Sequence, residues 1–476
     1  MGGGSSQRYA LSSSTLLRPL SLPSSIMLEM FHPEAKSSYD AKALRLIQGI
    51  KEFKFSEDER SFPSELHPRW TLTEANIVNF SGERFVDLWG NPTARFFRRD
   101  SRIFGTDKIS HDALVRLAEE IQSTARMRDI VSTNYVADAL FEWIKQAIVL
   151  DGAETGFCDW FQRRAQLDVR DQTIWIPIAN LEVAKSIVFG LAELRSISTK
   201  QIDEWQSQLL LRVDIDRQEE IHRWILALRE QFQGKAAAVV HICAESTKAF
   251  QVALERAQVA TSFLGMFSIG SLIPNTRCAS RVAGMENVIQ ATYLTTAIDK
   301  PLTKTQVVLD LATVRPWRLG DDEIDELNSA GLKVVSALLA SKKHTKFQES
   351  VLHALKLYSK AAFTADPVEK VVFVLSAMES LLLRNPSEPI QQNLSERIAI
   401  FVENELHKRK QVVKRVRAAY DMRSKYLHHG YERGDLDNTK QFLRTAWMFF
   451  TQVVANTDTF QTRDDFINAI DDFKLS

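Results

Sequence analysis

Between residue 29 and about residue 105, short apolar runs are cut by Gly, Asn and Pro, as in RWTLTEANIVNFSGERFVDLWGNPTARFF, and this alternation predicts strands joined by turns. From residue 110 the spacing changes. HDALVRLAEEIQSTA and DIVSTNYVADALFEWIKQAIVL repeat apolar residues every three or four positions, which predicts amphipathic helices. QTIWIPIANLEVAKSIVFGLAEL returns to strands, because Ile174, Trp175, Ile176, Ile178, Val183, Ile187 and Val188 are β-branched or aromatic. A helix over 217–232 follows, then a buried strand feeding a long helix in KAAAVVHICAESTKAFQVALERAQVATSFLGMF, and a strand pair around 287–312. These segments predict a mixed α+β region without a repeat of fixed period.

From about residue 322 every periodic segment is helical. DDEIDELNSAGLKVVSALLA opens with acids, which suit the positive end of a helix dipole; the five acids between Asp321 and Glu326 read as this helix start rather than as a metal site. Helices are then expected over 346–363, 367–384, 393–427 with a break near 407, and 436–456. Pro367 can open a helix, RNPSEP at 384–389 closes one, and the short loops favour antiparallel neighbours. The expected fold class is α+β: a tail at 1–28, a mixed region at 29–320, a connecting helix at 321–344 and an all-α, four-helix-type bundle at 345–476.

A chain of 476 residues exceeds one ordinary core, so two or three domains are expected. With 45% hydrophobic and 25% charged residues it matches a soluble globular protein, and its zero net charge removes any global electrostatic case for nucleic acid; only a local basic patch can make one. Cys158, Cys243 and Cys278 are odd in number, far apart and without CxxC spacing, which argues against a disulfide framework or a zinc cluster and for a reducing cytoplasm. No apolar run approaches the ~20 residues needed to cross a bilayer, so no membrane partner is expected. The first 25 residues are rich in Ser and Gly, with Arg8 and Arg18 and no acid before Glu29; they faintly resemble a transit peptide, but a disordered tail is the better reading.

Common catalytic signatures are missing. There is no GxxxxGK[ST], GxGxxG, HExxH or GxSxG. His241 and Cys243 lie two apart in VVHICAE, where a strand points both at the core more readily than it makes a dyad of them. The positions that stand out are charges on apolar stripes near the C-terminus. Val412, Val416, Ala419, Tyr420, Arg423 and Leu427 recur at three and four spacing, so Arg423 lies on or beside a buried stripe and needs a partner. In PVEKVVFVLSAMESLLLR, Glu379 lies inside the stripe of Val368, Val371, Val372, Leu375, Met378, Leu382 and Leu383 and can supply it.

His428 follows Arg423 by five positions, a rotation of about 140° and a rise of about 7.5 Å on a straight helix. Two solutions would let them act together: a helix end at Gly430, or a cleft formed with a second copy. For either His428 or His429, complementing the helix dipole is the plain alternative. Just upstream, Lys408, Arg409, Lys410, Lys414, Arg415 and Arg417 form a basic run, either a solvated face or a track for a phosphate backbone.

The motifs VLSAMESLLL, LSERIAIFV and AAYDMRSKYLHHG give the last 130 or so residues a resemblance to the HEPN superfamily, most closely its Apea-like bacterial branch. Its hallmark is Arg, a polar residue, three further residues, then His; Arg423, Ser424 and His428 match, and His429 fits the longer spacing that the family tolerates. The resemblance implies a metal-independent endoribonuclease acting as a homodimer or higher homo-oligomer and needing no cofactor. It implies His428 for proton transfer, Arg423 for the scissile phosphate, Ser424 and Glu379 as orienting groups, and Lys425 and Tyr426 alongside the basic run in RNA contact. It further implies an RNA substrate, for which transfer RNA is one candidate, and an N-terminal region that senses a phage-derived trigger or answers to an antidote, in antiphage defence or as a toxin. A noncatalytic HEPN scaffold, with a ligand-sensing N-terminal region, is the competing implication.

Overall fold

The computed structural model describes residues 29–53, 84–86, 92–100, 102–153, 155–285, 290–297, 300–309, 316–385, 387–429 and 435–475. It is a mixed α/β chain with a helical C-terminal region. Among the described residues two compact units divide it, one from 29–174 with 241–252, the other from 175–240 with 253–475.

In the first unit, strands β1 (Ile50–Phe53), β2 (Arg84–Val86), β3 (Pro92–Arg99) and β4 (Arg102–Thr106) form a sheet of order β1-β4-β3-β2, each neighbour antiparallel. Helices α1 (Pro33–Ile47), α2 (Lys108–Gln122), α3 (Thr133–Val149) and α4 (Phe157–Asp168) bury Leu114, Ile121, Leu140, Ile144, Phe157 and Phe161 in a common core. Asp107 and Ser132 cap α2 and α3 by accepting from the backbone N–H groups of Ser110 and Tyr135. The alternation at 29–105 misleads over α1, which is a helix opened by His32 and Pro33; only Ala43 of it is fully buried, so no apolar stripe announces it. The expected strands at 70–83 lie outside the described residues.

The division between units falls inside β5 (Arg170–Ala179), β9 (Ala236–Ala244) and α7 (Ser246–Gly265). With β7 (Ile187–Phe189), β8 (Ala192–Ser196) and β10 (Arg281–Val282), β5 and β9 make a sheet of order β10-β5-β9-β8-β7. Helices α5 (Thr199–Leu210) and α6 (Gln218–Phe232) cover a small cluster of Ile197, Ile202, Ile225 and Ala237. β6 (Leu181–Val183) pairs in parallel with β13 (Trp317–Leu319), and β11 (Gln290–Ala297) pairs antiparallel with β12 (Lys300–Leu309), the strand pair expected around 287–312.

The rest of the second unit is helical: α8 (Asp321–Ser329), α9 (Leu332–Ala340), α10 (Lys346–Ala361), α11 (Pro367–Leu382), α12 (Ile390–Val402), α13 (Leu406–His429), α14 (Leu436–Ala455) and α15 (Arg463–Leu475). The connecting segment is two helices rather than one. Gly331 separates them at φ 104, where an L side chain is strained and a Cβ would meet Val454 at 2.6 Å. Thr345 with Gln348 forms a capping box on α10, and Asp366 with Pro367 opens α11. The break expected near 407 falls at 403–405, and α15, absent from the expected set, packs Phe466 and Ile467 into the core beside Phe347 and Phe401.

Candidate functional site

Val412, Val416 and Ala419 of α13 are buried, and the same side of the helix brings Arg423 to α11. There its Nη1 donates to Glu379 Oε1 at 2.5 Å, and its guanidinium lies 5.6 Å from the Tyr420 ring centroid. The two side chains keep 21% and 19% of their exposure, so the pair sits at the rim of the core, within reach of solvent. The stripe ends with it, because Leu427 is 58% exposed.

His428 faces elsewhere. α13 continues unbroken through His429, so Arg423 and His428 keep the roughly 140° divergence of a straight helix. The helix end that Gly430 was expected to provide lies outside the described residues, as does the side chain of His429. His428, Ser424 and Lys425 are exposed and Tyr426 is half-buried. On the helical period, His428 aligns with Lys410, Lys414, Arg417 and Ser424 on one face, nearly opposite the buried seam.

The basic run splits along the same lines. Lys408 pairs with Glu405 at 2.6 Å; Arg409 turns back to donate to Glu403 O at 2.7 Å and stacks over Phe473; Arg415 donates to Gln441 at 3.0 Å. Lys410, Lys414 and Arg417 remain on the exposed stripe, interrupted by Asp421, which accepts from Gln391 at 2.9 Å. The stripe spans nineteen residues from Lys410 to His428, roughly 27 Å of helix.

In the helical region, the buried Arg397 and Lys370 were not singled out from sequence. Arg397 on α12 donates to Asp471 through Nε and Nη2, each at 2.9 Å, and through Nη1 to Glu388 at 2.8 Å and Leu382 O at 2.6 Å. Lys370 on α11, fully buried, donates to Thr276 O at 2.6 Å and to Gly270 O. Burial pushes its ammonium down to about 8. The spacing that flags Arg423 was available for both: Arg397 lies among Leu394, Ile398 and Ala399, and Lys370 between Val368 and Val371, Val374.

His241 and Cys243 do share a strand face, but it is the exposed one rather than the core. His241 Nδ1 lies 3.0 Å from the Thr173 hydroxyl, and burial together with Asp171 raises the Cys243 thiol, which disfavours a reactive thiolate. Among the described residues no group of three or more His, Cys, Asp and Glu is placed to hold a metal ion, and no helix is long and apolar enough to cross a membrane. Comparison with known protein families, curated proteins and solved structures finds no match to the chain.

Proposed function

We propose that residues 345–476 are a HEPN-type helical domain and that the protein is an endoribonuclease acting through Arg423 and His428. The observation that carries the reading is the arrangement on α13: Arg423 is oriented by Glu379 at a solvent-reachable rim, and His428 stands at the end of an exposed stripe of Lys410, Lys414 and Arg417. A phosphate backbone fits that stripe, whose three cations are separated by about 6 and 4.5 Å of rise.

The chemistry needs only these side chains. His428 removes the 2′-hydroxyl proton as that oxygen attacks the adjacent phosphorus, and a histidine returns a proton to the departing 5′-oxygen. The products are a 2′,3′-cyclic phosphate and a 5′-hydroxyl. Arg423 donates to the non-bridging oxygens as charge gathers there, Glu379 keeps the guanidinium aimed, and Ser424 orients the neighbouring groups. Because Arg423 and His428 of one copy diverge, two copies contribute to each site. The antiphage or toxin role, a phage-derived trigger or antidote for the N-terminal region, and transfer RNA as substrate belong to the same proposal.

Purified protein incubated with total RNA or transfer RNA in EDTA is expected to cleave it, and both Arg423→Ala and His428→Ala are expected to abolish cleavage. Intact RNA, or cleavage indifferent to both changes, rejects the reading. The Glu379–Arg423 bond also favours a second one, a noncatalytic scaffold in which the pair only ties α11 to α13. Under it, disrupting self-association abolishes the cellular phenotype while the double variant Arg423→Ala, His428→Ala retains it.

A further inference from the structure

The last carbonyls of a helix have no donor within it and must find one elsewhere. In α11 this concerns the turn that carries Glu379. Glu379 O accepts from Leu383 N at 3.1 Å, but beyond it the carbonyls of Ser380 and Leu382 are held by arginines from other helices. Arg463 Nη1 donates to Ser380 O at 3.3 Å, its Nη2 to Arg384 O at 3.4 Å, and Arg397 Nη1 to Leu382 O at 2.6 Å.

Arg397 is in turn fixed on every side. Asp471 of α15 takes two of its N–H groups side-on, Glu388 takes another, and Arg384 adds a second cation to Asp471 at 3.0 Å. The Arg397 and Glu388 side chains retain 8% and 13% of their exposure. Hydrogen bonds from Arg397 lead in holding the Asp471 carboxyl below the usual carboxylate range; at Glu388 burial works the other way, but Asn393 and Arg397 outweigh it. A buried guanidinium with two carboxylates and a carbonyl has one geometry only, so it sets where the end of α11 lies.

We propose that Asp471 and Glu388 are positioning residues for Arg423, acting through Arg397 and the last turn of α11, which presents Glu379. The inference rests on the reading of Arg423 as the phosphate-holding group. Without Asp471, Arg397 keeps one carboxylate, swings toward it and leaves Leu382 O; the last turn of α11 loosens, and Glu379 no longer fixes the guanidinium of Arg423.

The test uses the full chain labelled with 15N-arginine. The Arg423 guanidinium signal, assigned through Arg423→Lys, is followed beside RNA cleavage and melting in wild type, Asp471→Asn, Asp471→Glu and the core control Val453→Ala. In Asp471→Asn the signal is expected to lose its restrained rotation and kcat to fall roughly tenfold, with KM for RNA changed less than about twofold. Asp471→Glu restores part of both, and Val453→Ala, though it melts lower, changes neither. If Asp471→Asn fails to fold, Arg384→Gln removes the outer cation from Asp471 and serves as the milder version.

An Arg423 signal and kcat untouched by Asp471→Asn overturn the positioning role while leaving the nuclease reading intact. Wild-type protein that spares RNA, with an Arg423 signal that still responds to Asp471→Asn, overturns the nuclease reading and keeps the positioning.

Discussion

Arg423 and Arg397 both come from apolar stripes of the helical region, and both end on carboxylates, yet they are held differently. Arg397, at 8% exposure, gives its donors to Asp471, Glu388 and Leu382 O. Arg423, at 21%, gives one donor to Glu379 and lays its face near Tyr420. A guanidinium has five N–H donors, so Arg423 is oriented and still able to meet an oxyanion, whereas Arg397 is committed. The exposure and the number of partners, rather than the pairing itself, separate an arginine suited to a ligand from one that fixes the fold.

Arg397→Met should break the contrast most severely. It leaves Glu388 and Asp471 facing each other without their shared cation, and chemical denaturation should show a loss of about 3–5 kcal/mol. A loss under about 1 kcal/mol would put Arg397 in the same class as Arg423.

Lys370 sharpens the comparison from another direction, as a buried cation held by carbonyls alone. Its folded-state value of about 8 lies below the 10.5 of the free side chain, so between these values the unfolded chain binds more protons. Stability contributed by this group therefore rises as pH climbs from about 8 to about 10.5, by roughly 3 kcal/mol at full extent. Denaturation midpoints across that window should rise in wild type and rise less in Lys370→Met.

Glu379→Gln tests the Arg423 side. At the rim of the core the pair is worth about 1 kcal/mol of stability or less, yet RNA cleavage should fall far more than that loss accounts for. A variant that melts several degrees lower and cleaves normally would make the pair structural. The smallest stability effect belongs to the exposed stripe. Replacing Lys410, Lys414 and Arg417 together with Gln should change stability by no more than about 0.5 kcal/mol while lowering the salt dependence of single-stranded RNA binding by about two in slope.

Much of this contrast is legible in the sequence. The three- and four-residue spacing located α10 to α14 within a few residues, flagged Arg423 and Glu379 as charges on apolar faces, and offered each as the other's partner. It did not expose α15, whose short amphipathic run follows a turn-rich stretch, nor the role of Arg397, since the acid that meets it lies 74 residues away on that helix. The basic run looked uniform in sequence but divides, because Arg409 and Arg415 fold back onto Glu403, Phe473 and Gln441.

Helical spacing, caps and the separation of Arg423 from His428 around α13 are properties of neighbouring residues, so the sequence alone determined them: backbone geometry repeats every 3.6 residues whatever surrounds it. Which carboxylate meets which guanidinium, and how much water each keeps, was decided only by the packing of α11, α12, α13 and α15. Those contacts join residues 44 and 74 apart in the chain, and only the crossing of packed helices brings such charges within hydrogen-bond reach.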